Sequence, residues 1–81
     1  MYIPAKAATL ANLTAGATCK ISSVELDGLL RRRILDLGIL PGTQVQCFRK
    51  GPAGDPIAFR VRNTTIALRS DDADLIKVDP I

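Results

Sequence analysis

The chain has 81 residues, 47% of them hydrophobic and 23% charged, with no His, no Trp, two Cys and a net charge of +3. That length gives one domain, which buries only about 60% of the surface its unfolded form exposes, so a docking surface is easier to build than a deep catalytic cleft. The residues that lead in from Met1 show no basic stretch before an apolar run, and no apolar run approaches the ~18 residues of a membrane span. A soluble, cytoplasmic domain of residues 1–81 is expected, with 1–8 as an N-terminal extension in which Tyr2-Ile3-Pro4 packs over the domain. In chain order, Thr9 to Leu13 forms a short stretch carrying Leu10 and Leu13, and Thr14-Ala15-Gly16 turns. From Ala17 the pattern alternates, with Ala17, Cys19 and Ile21 on one side, as in a half-buried strand. Val24 and Leu26 are apolar on the opposite parity, which a bulge near Ser23 explains.

The period changes over Asp27 to Leu37. Leu30, Ile34 and Leu37 fall at i, i+4 and i+7, one face of a helix that covers the sheet. Asp27 is the expected N-cap. Gly38 is the expected C′ residue at positive φ, with Ile39 folding back onto Ile34 in a Schellman ending. Leu40-Pro41-Gly42-Thr43 reads as a type II turn, with Gly42 supplying the positive φ at its third position. Thr43 to Arg49 alternates again, Val45 and Cys47 inward, while Phe48 breaks the outward polarity. Residues 50–56 are a loop by their Gly and Pro content. Ile57, Phe59 and Val61 alternate with Ala58, Arg60 and Arg62 in a strand, Asn63 opens a tight turn in the left-handed conformation, and Thr64 to Leu68 pairs back. Ser70 to Asp74 reads as a capped helical turn, and Leu75 to Val78 as a last strand. Five to six short strands with one helix of about ten residues give a mostly β fold. A small, partly closed barrel leaves few exposed edges and suits such a chain.

The chemistry that these residues exclude is broad. Without His there is no Ser-His-Asp or Cys-His nucleophile system. There is no phosphate loop and no G-x-G-x-x-G. Asp71, Asp72 and Asp74 are the one carboxylate cluster. Three acids on near-adjacent positions do not surround a hard cation, and their place in a helical turn suits the helix dipole. No cofactor and no metal site is expected. Cys19 and Cys47 lie on apolar strand phases and read as buried, free thiols.

Charge is uneven: residues 1–70 carry +6 and residues 71–81 carry −3. A basic stripe of Arg31 to Arg33, Arg49, Lys50, Arg60, Arg62 and Arg69 keeps a nucleic-acid-binding barrel as an alternative. Single-strand binders stack bases on aromatic rings, however. With Phe59 on an apolar phase, only Phe48 and Tyr2 remain, so nucleic acid is not the expected partner. The expected protein-binding patch lies on the helix and the turn after it. Leu29 and Leu35 fall off the face of Leu30, Leu40 and Pro41 extend the apolar surface, and Arg31 and Arg32 flank it.

The segment Arg33-Ile34-Leu35-Asp36-Leu37-Gly38-Ile39-Leu40-Pro41-Gly42-Thr43 resembles the R-L-L-D-L-G-x-x-P-G-T signature of the FeoA family. Thr9-Leu10-Ala11-Asn12-Leu13 with Gly16, then Asp55-Pro56, Ile66-Ala67-Leu68-Arg69, Asp72-Ala73 and Ile76-Lys77-Val78 are similar to its other landmarks. Where the family often has Gly before the I-A-L-R strand, this chain has Asn63-Thr64-Thr65. The resemblance implies an SH3-like barrel and a non-catalytic accessory role in bacterial ferrous iron uptake. The implied partner is FeoB, a membrane permease with a cytosolic GTP-binding domain, so the membrane is met only through that partner. The same kind of barrel forms a domain of some iron-dependent repressors, which leaves an iron-responsive regulatory domain as a further alternative.

Overall fold

The computed structural model describes residues 8–80, so the expected packing of Tyr2-Ile3-Pro4 lies outside the described residues. Five strands, β1 (Thr18–Val24), β2 (Gln44–Lys50), β3 (Ile57–Val61), β4 (Thr64–Leu68) and β5 (Ile76–Pro80), form one antiparallel sheet. Their order is β4-β3-β2-β1-β5, so the sheet curls into a mostly β, SH3-like barrel that is not fully closed. Alternation decides the inner face. Cys19, Ile21, Val45, Cys47, Ile57, Phe59, Val61, Ile66 and Leu68 are all buried, each on its apolar phase. Phe59 fills the centre, fully inaccessible to solvent. Fully burying such a side chain is worth about 1.5–3 kcal/mol.

Two register shifts bend the sheet. One falls between Ile21 and Ser23 against β5, where the apolar parity of the sequence slips. The other falls between Cys47 and Arg49 against β3, just where Phe48, on the outward phase of β2, stands 48% exposed. Such bulges sharpen strand twist and help a small sheet to curl. The edge strand β5 is partly covered: Thr9 bridges to Lys77, and the Val78 amide donates to the Ala8 carbonyl at 3.2 Å. A 3-10 turn at Leu10–Asn12 follows. Thr9, the buried polar residue among those described, shares its hydroxyl proton between Asn12 Oδ1 at 3.0 Å and Asp74 Oδ1 at 3.1 Å, which ties this turn to the far end of the chain.

One helix of nine residues, α1 (Gly28–Asp36), and one single turn, α2 (Ser70–Ala73), complete the fold. The Schellman ending of α1 is complete. The Ile39 amide donates to the Ile34 carbonyl at 3.2 Å and the Gly38 amide to that of Leu35 at 3.0 Å, with Gly38 at φ +97°. Ile34 and Ile39 are both in the core.

Four expectations are corrected. Leu37 does not join the core face. It becomes the C-cap residue, 46% exposed, because the Schellman turn ends the helix at Asp36 and Ile39 takes the core position instead. Asp27 occupies the N-cap position but makes no side-chain cap bond. The left-handed residue of the β3–β4 turn is Arg62 (φ +57°), not Asn63. The expected capped turn at Ser70 to Asp74 forms as α2 without a side-chain cap; the Ser70 amide donates instead to Asp55 Oδ1 at 2.9 Å, fixing the 50–56 loop.

Candidate functional site

The turn after α1 is rigid for local reasons. The Thr43 amide donates to the Leu40 carbonyl at 2.9 Å, and Gly42 sits at φ +91°, as a type II turn requires. The turn is also pinned to β1, since the Gly42 amide donates to the Ile21 carbonyl at 2.7 Å and the Ile21 amide to the Thr43 carbonyl at 2.9 Å. Leu40 (42% exposed) and Pro41 are therefore held out from the barrel on a fixed frame.

Beside them lies a surface groove of about 770 Å³. Its floor is the outer face of the sheet, with Thr18 and Gln46 paired across β1 and β2, and Gln46 paired with Arg60 across β2 and β3. Arg60 and Arg62 line it and no acidic side chain does. The Arg60 guanidinium stands 5.3 Å from the centroid of the Phe48 ring, a cation–π contact that restrains a long side chain. The contact with Arg60 gives an aromatic residue on a polar face a partner.

The helix presents another, smaller depression of about 310 Å³, lined by Leu29, Arg32, Arg33 and Asp36. These residues share one face at 100° per residue. Leu29 is 85% exposed. A third, about 390 Å³, lies between α1 and β4, where Leu30, Ile34 and Leu37 meet Ile66, Leu68 and Arg69.

The six expected patch residues divide between these places. Leu29 and Arg32 share the helix depression; Leu40 and Pro41 line the groove; Arg31 is exposed outside both; Leu35 is partly buried. Arg60, Arg62 and Phe48 were not expected at this surface. The cross-strand register of β3 on β2, which brings Arg60 and Arg62 to the same groove as the 40–43 turn, leaves no local pattern in the sequence.

Cys19 and Cys47 are buried free thiols on neighbouring strands. Burial, then the neighbouring Cys47, then Asp79 push the Cys19 thiol up to about 11. Burial also raises that of Cys47, against a lowering pull from Lys50. Both are therefore protonated and unreactive near neutrality. Among the described residues no three of His, Cys, Asp and Glu gather in a way that could hold a metal ion. No helix of the described residues is long and apolar enough to cross a membrane.

Fold and surface together define a small SH3-like domain whose outer features are shallow depressions on a rigid frame. The FeoA domain model matches residues 8–80, and the chain belongs to the FeoA family, which is linked to ferrous iron transport. The chain is 33% identical over 72 residues to an Fe(2+) transport protein A/Fe(2+) transporter FeoB fusion protein of Porphyromonas gingivalis. That match covers 89% of this chain but 8% of the fusion protein. Among solved structures it is similar to iron(II) transport protein A from Clostridium thermocellum, with 32% identity and a TM-score of 0.86, over 91% of this chain and 46% of that one. It is also similar to FeoA of Stenotrophomonas maltophilia, with 32% identity and a TM-score of 0.80, over 90% of this chain and 91% of that one. The latter is solved complexed with zinc and described as a procaryotic SH3 domain protein, with a suggested role as a ferrous iron transport activating factor.

Proposed function

We propose that this chain is a non-catalytic interaction module that acts on a FeoB-type ferrous iron permease from its cytoplasmic side. One observation carries the reading: a relative holds a matching segment and the transporter in one polypeptide. Covalent linkage raises the effective concentration of one partner for another to about the millimolar range, which is useful only where the two meet. The surface supports the same reading, because Leu29 and Leu40 are large apolar side chains kept in water beside arginines, the composition of a docking patch with a polar rim.

The test is co-purification of the chain with the permease, together with ferrous iron uptake in cells lacking the native accessory protein. Leu29→Glu is the first variant, because at 85% exposure it should change stability by no more than about 0.5 kcal/mol. Leu40→Glu is the second. Loss of association and of uptake in either variant, with circular dichroism unchanged, is the expected result. A parent chain that does not associate with the permease overturns the reading.

A further inference from the structure

The 770 Å³ groove over β1, β2 and β3 is graded in its chemistry. Leu40 and Pro41 give it an apolar wall, Gln44, Gln46 and Thr18 a neutral polar floor, and Arg60 and Arg62 a basic wall. Two features show that the basic wall is built. Arg60 is steadied by the ring of Phe48, which the alternation of β2 presents on the same outer face. Arg62 occupies the two-residue β3–β4 turn at φ +57°, where Gly or Asn sits at least cost and a bulky side chain is strained. Asn63 is the very next residue, yet the arginine takes the left-handed position. Strain retained at a surface residue points to use of its side chain.

We infer that this groove binds an extended acidic segment of a partner protein, with carboxylates on Arg60 and Arg62 and a neighbouring apolar side chain against Leu40 and Pro41. The inference deepens the interaction-module reading and rests on it. Charge complementarity selects the occupant: two guanidinium groups, each able to grip a carboxylate through paired N–H donors, line a groove with no acidic residue of its own. The side-chain amides and hydroxyl of the floor match the N–H and C=O groups that an extended peptide leaves unpaired. Nucleic acid fits less well. No aromatic ring lines the groove, and Phe48 has Arg60 over it, so no platform is left for stacking bases.

The experiment titrates isotope-labelled protein with the peptide Val-Glu-Leu-Glu-Val-Glu, its counterpart with Lys for Glu, and an oligothymidylate. The acidic peptide is expected to shift the backbone amides of residues 42–46 and 60–62, and to weaken with added salt. Arg60→Ala and Arg62→Gly should each reduce affinity about tenfold, on the scale of one lost charge-assisted contact. Arg62→Gly should melt at or above the parent temperature, since glycine relieves the turn. Equal binding of the lysine peptide, tighter binding of the oligothymidylate, or unchanged affinity in both arginine variants overturns the inference. Co-purification separates the two readings. A parent chain that fails to associate with the permease overturns the interaction module. A double arginine variant that associates as the parent does overturns only the acidic-segment assignment.

Discussion

Gly38→Ala isolates a backbone effect. Gly38 lies at φ +97°, and a Cβ built there meets nothing within 4 Å. The substitution therefore carries no clash with neighbours, and its cost is that of forcing an L-residue into the left-handed region, about 1–2 kcal/mol. At ~2.1 cal/mol/K per residue, a domain of 81 residues unfolds with an entropy of about 0.17 kcal/mol/K near its midpoint. The melting temperature should accordingly fall by about 6–12 °C. The loss is large because total stability for this size is only about 4–12 kcal/mol. Gly38→Asn should fall less, since Asn tolerates the left-handed region. Thermal melts followed by far-UV circular dichroism measure both variants. An unchanged melt for Gly38→Ala, or a deeper fall for Asn than for Ala, would refute the reasoning, because either would mean that the Schellman ending does not depend on the conformation of this residue.

Gly51→Ala should destabilise by another route: its φ of −73° suits any residue, but a Cβ would stand 2.9 Å from the Asp55 carbonyl oxygen, so about 1–3 kcal/mol is lost and Asn there recovers nothing. The thiols should respond to alkaline pH. The folded chain holds the Cys19 proton more tightly than the unfolded chain, so this contribution is full below pH 9.0 and is lost as pH rises towards about 11, and Cys19→Ala should flatten that part of the pH–stability curve. Thiol counting should find slow reaction in the native protein and two free thiols after denaturation without reductant; a single intramolecular disulfide would contradict it. Anaerobic titration should reveal no Fe(II) site tighter than roughly 10 μM, about −6.8 kcal/mol, and a stoichiometric tight site would send attention first to Asp71, Asp72 and Asp74.

Much of this protein is legible locally. Asp27 to Gly38 encodes the helix and its stop, because the period of Leu30 and Ile34 and a glycine followed by Ile39 are short-range patterns with one low-energy solution. The Pro41-Gly42 turn and the inward phases of β1 to β4 follow for the same reason. Even the bulge at Ser23 shows itself as a slip of parity. The family, too, is written in the segment from Arg33 to Thr43 and is borne out by the match over residues 8–80.

Tertiary structure decided the rest. Leu37 has the right period for the core, yet the Schellman turn reverses the chain and delivers Ile39 there instead. Leu29 and Leu40 belong to one expected patch on the helix and the turn after it, yet the end of the helix places one beside Arg32 and Asp36 and the other beside Arg60 and Arg62. The positive φ of Arg62 depends on the β3–β4 register, which pairs Val61 with Thr64 and leaves two residues for the turn. Periodicity reports which side of its own element a residue occupies. Which residues from distant segments share a surface is set by strand order and register, and these are fixed only when the whole core packs at once.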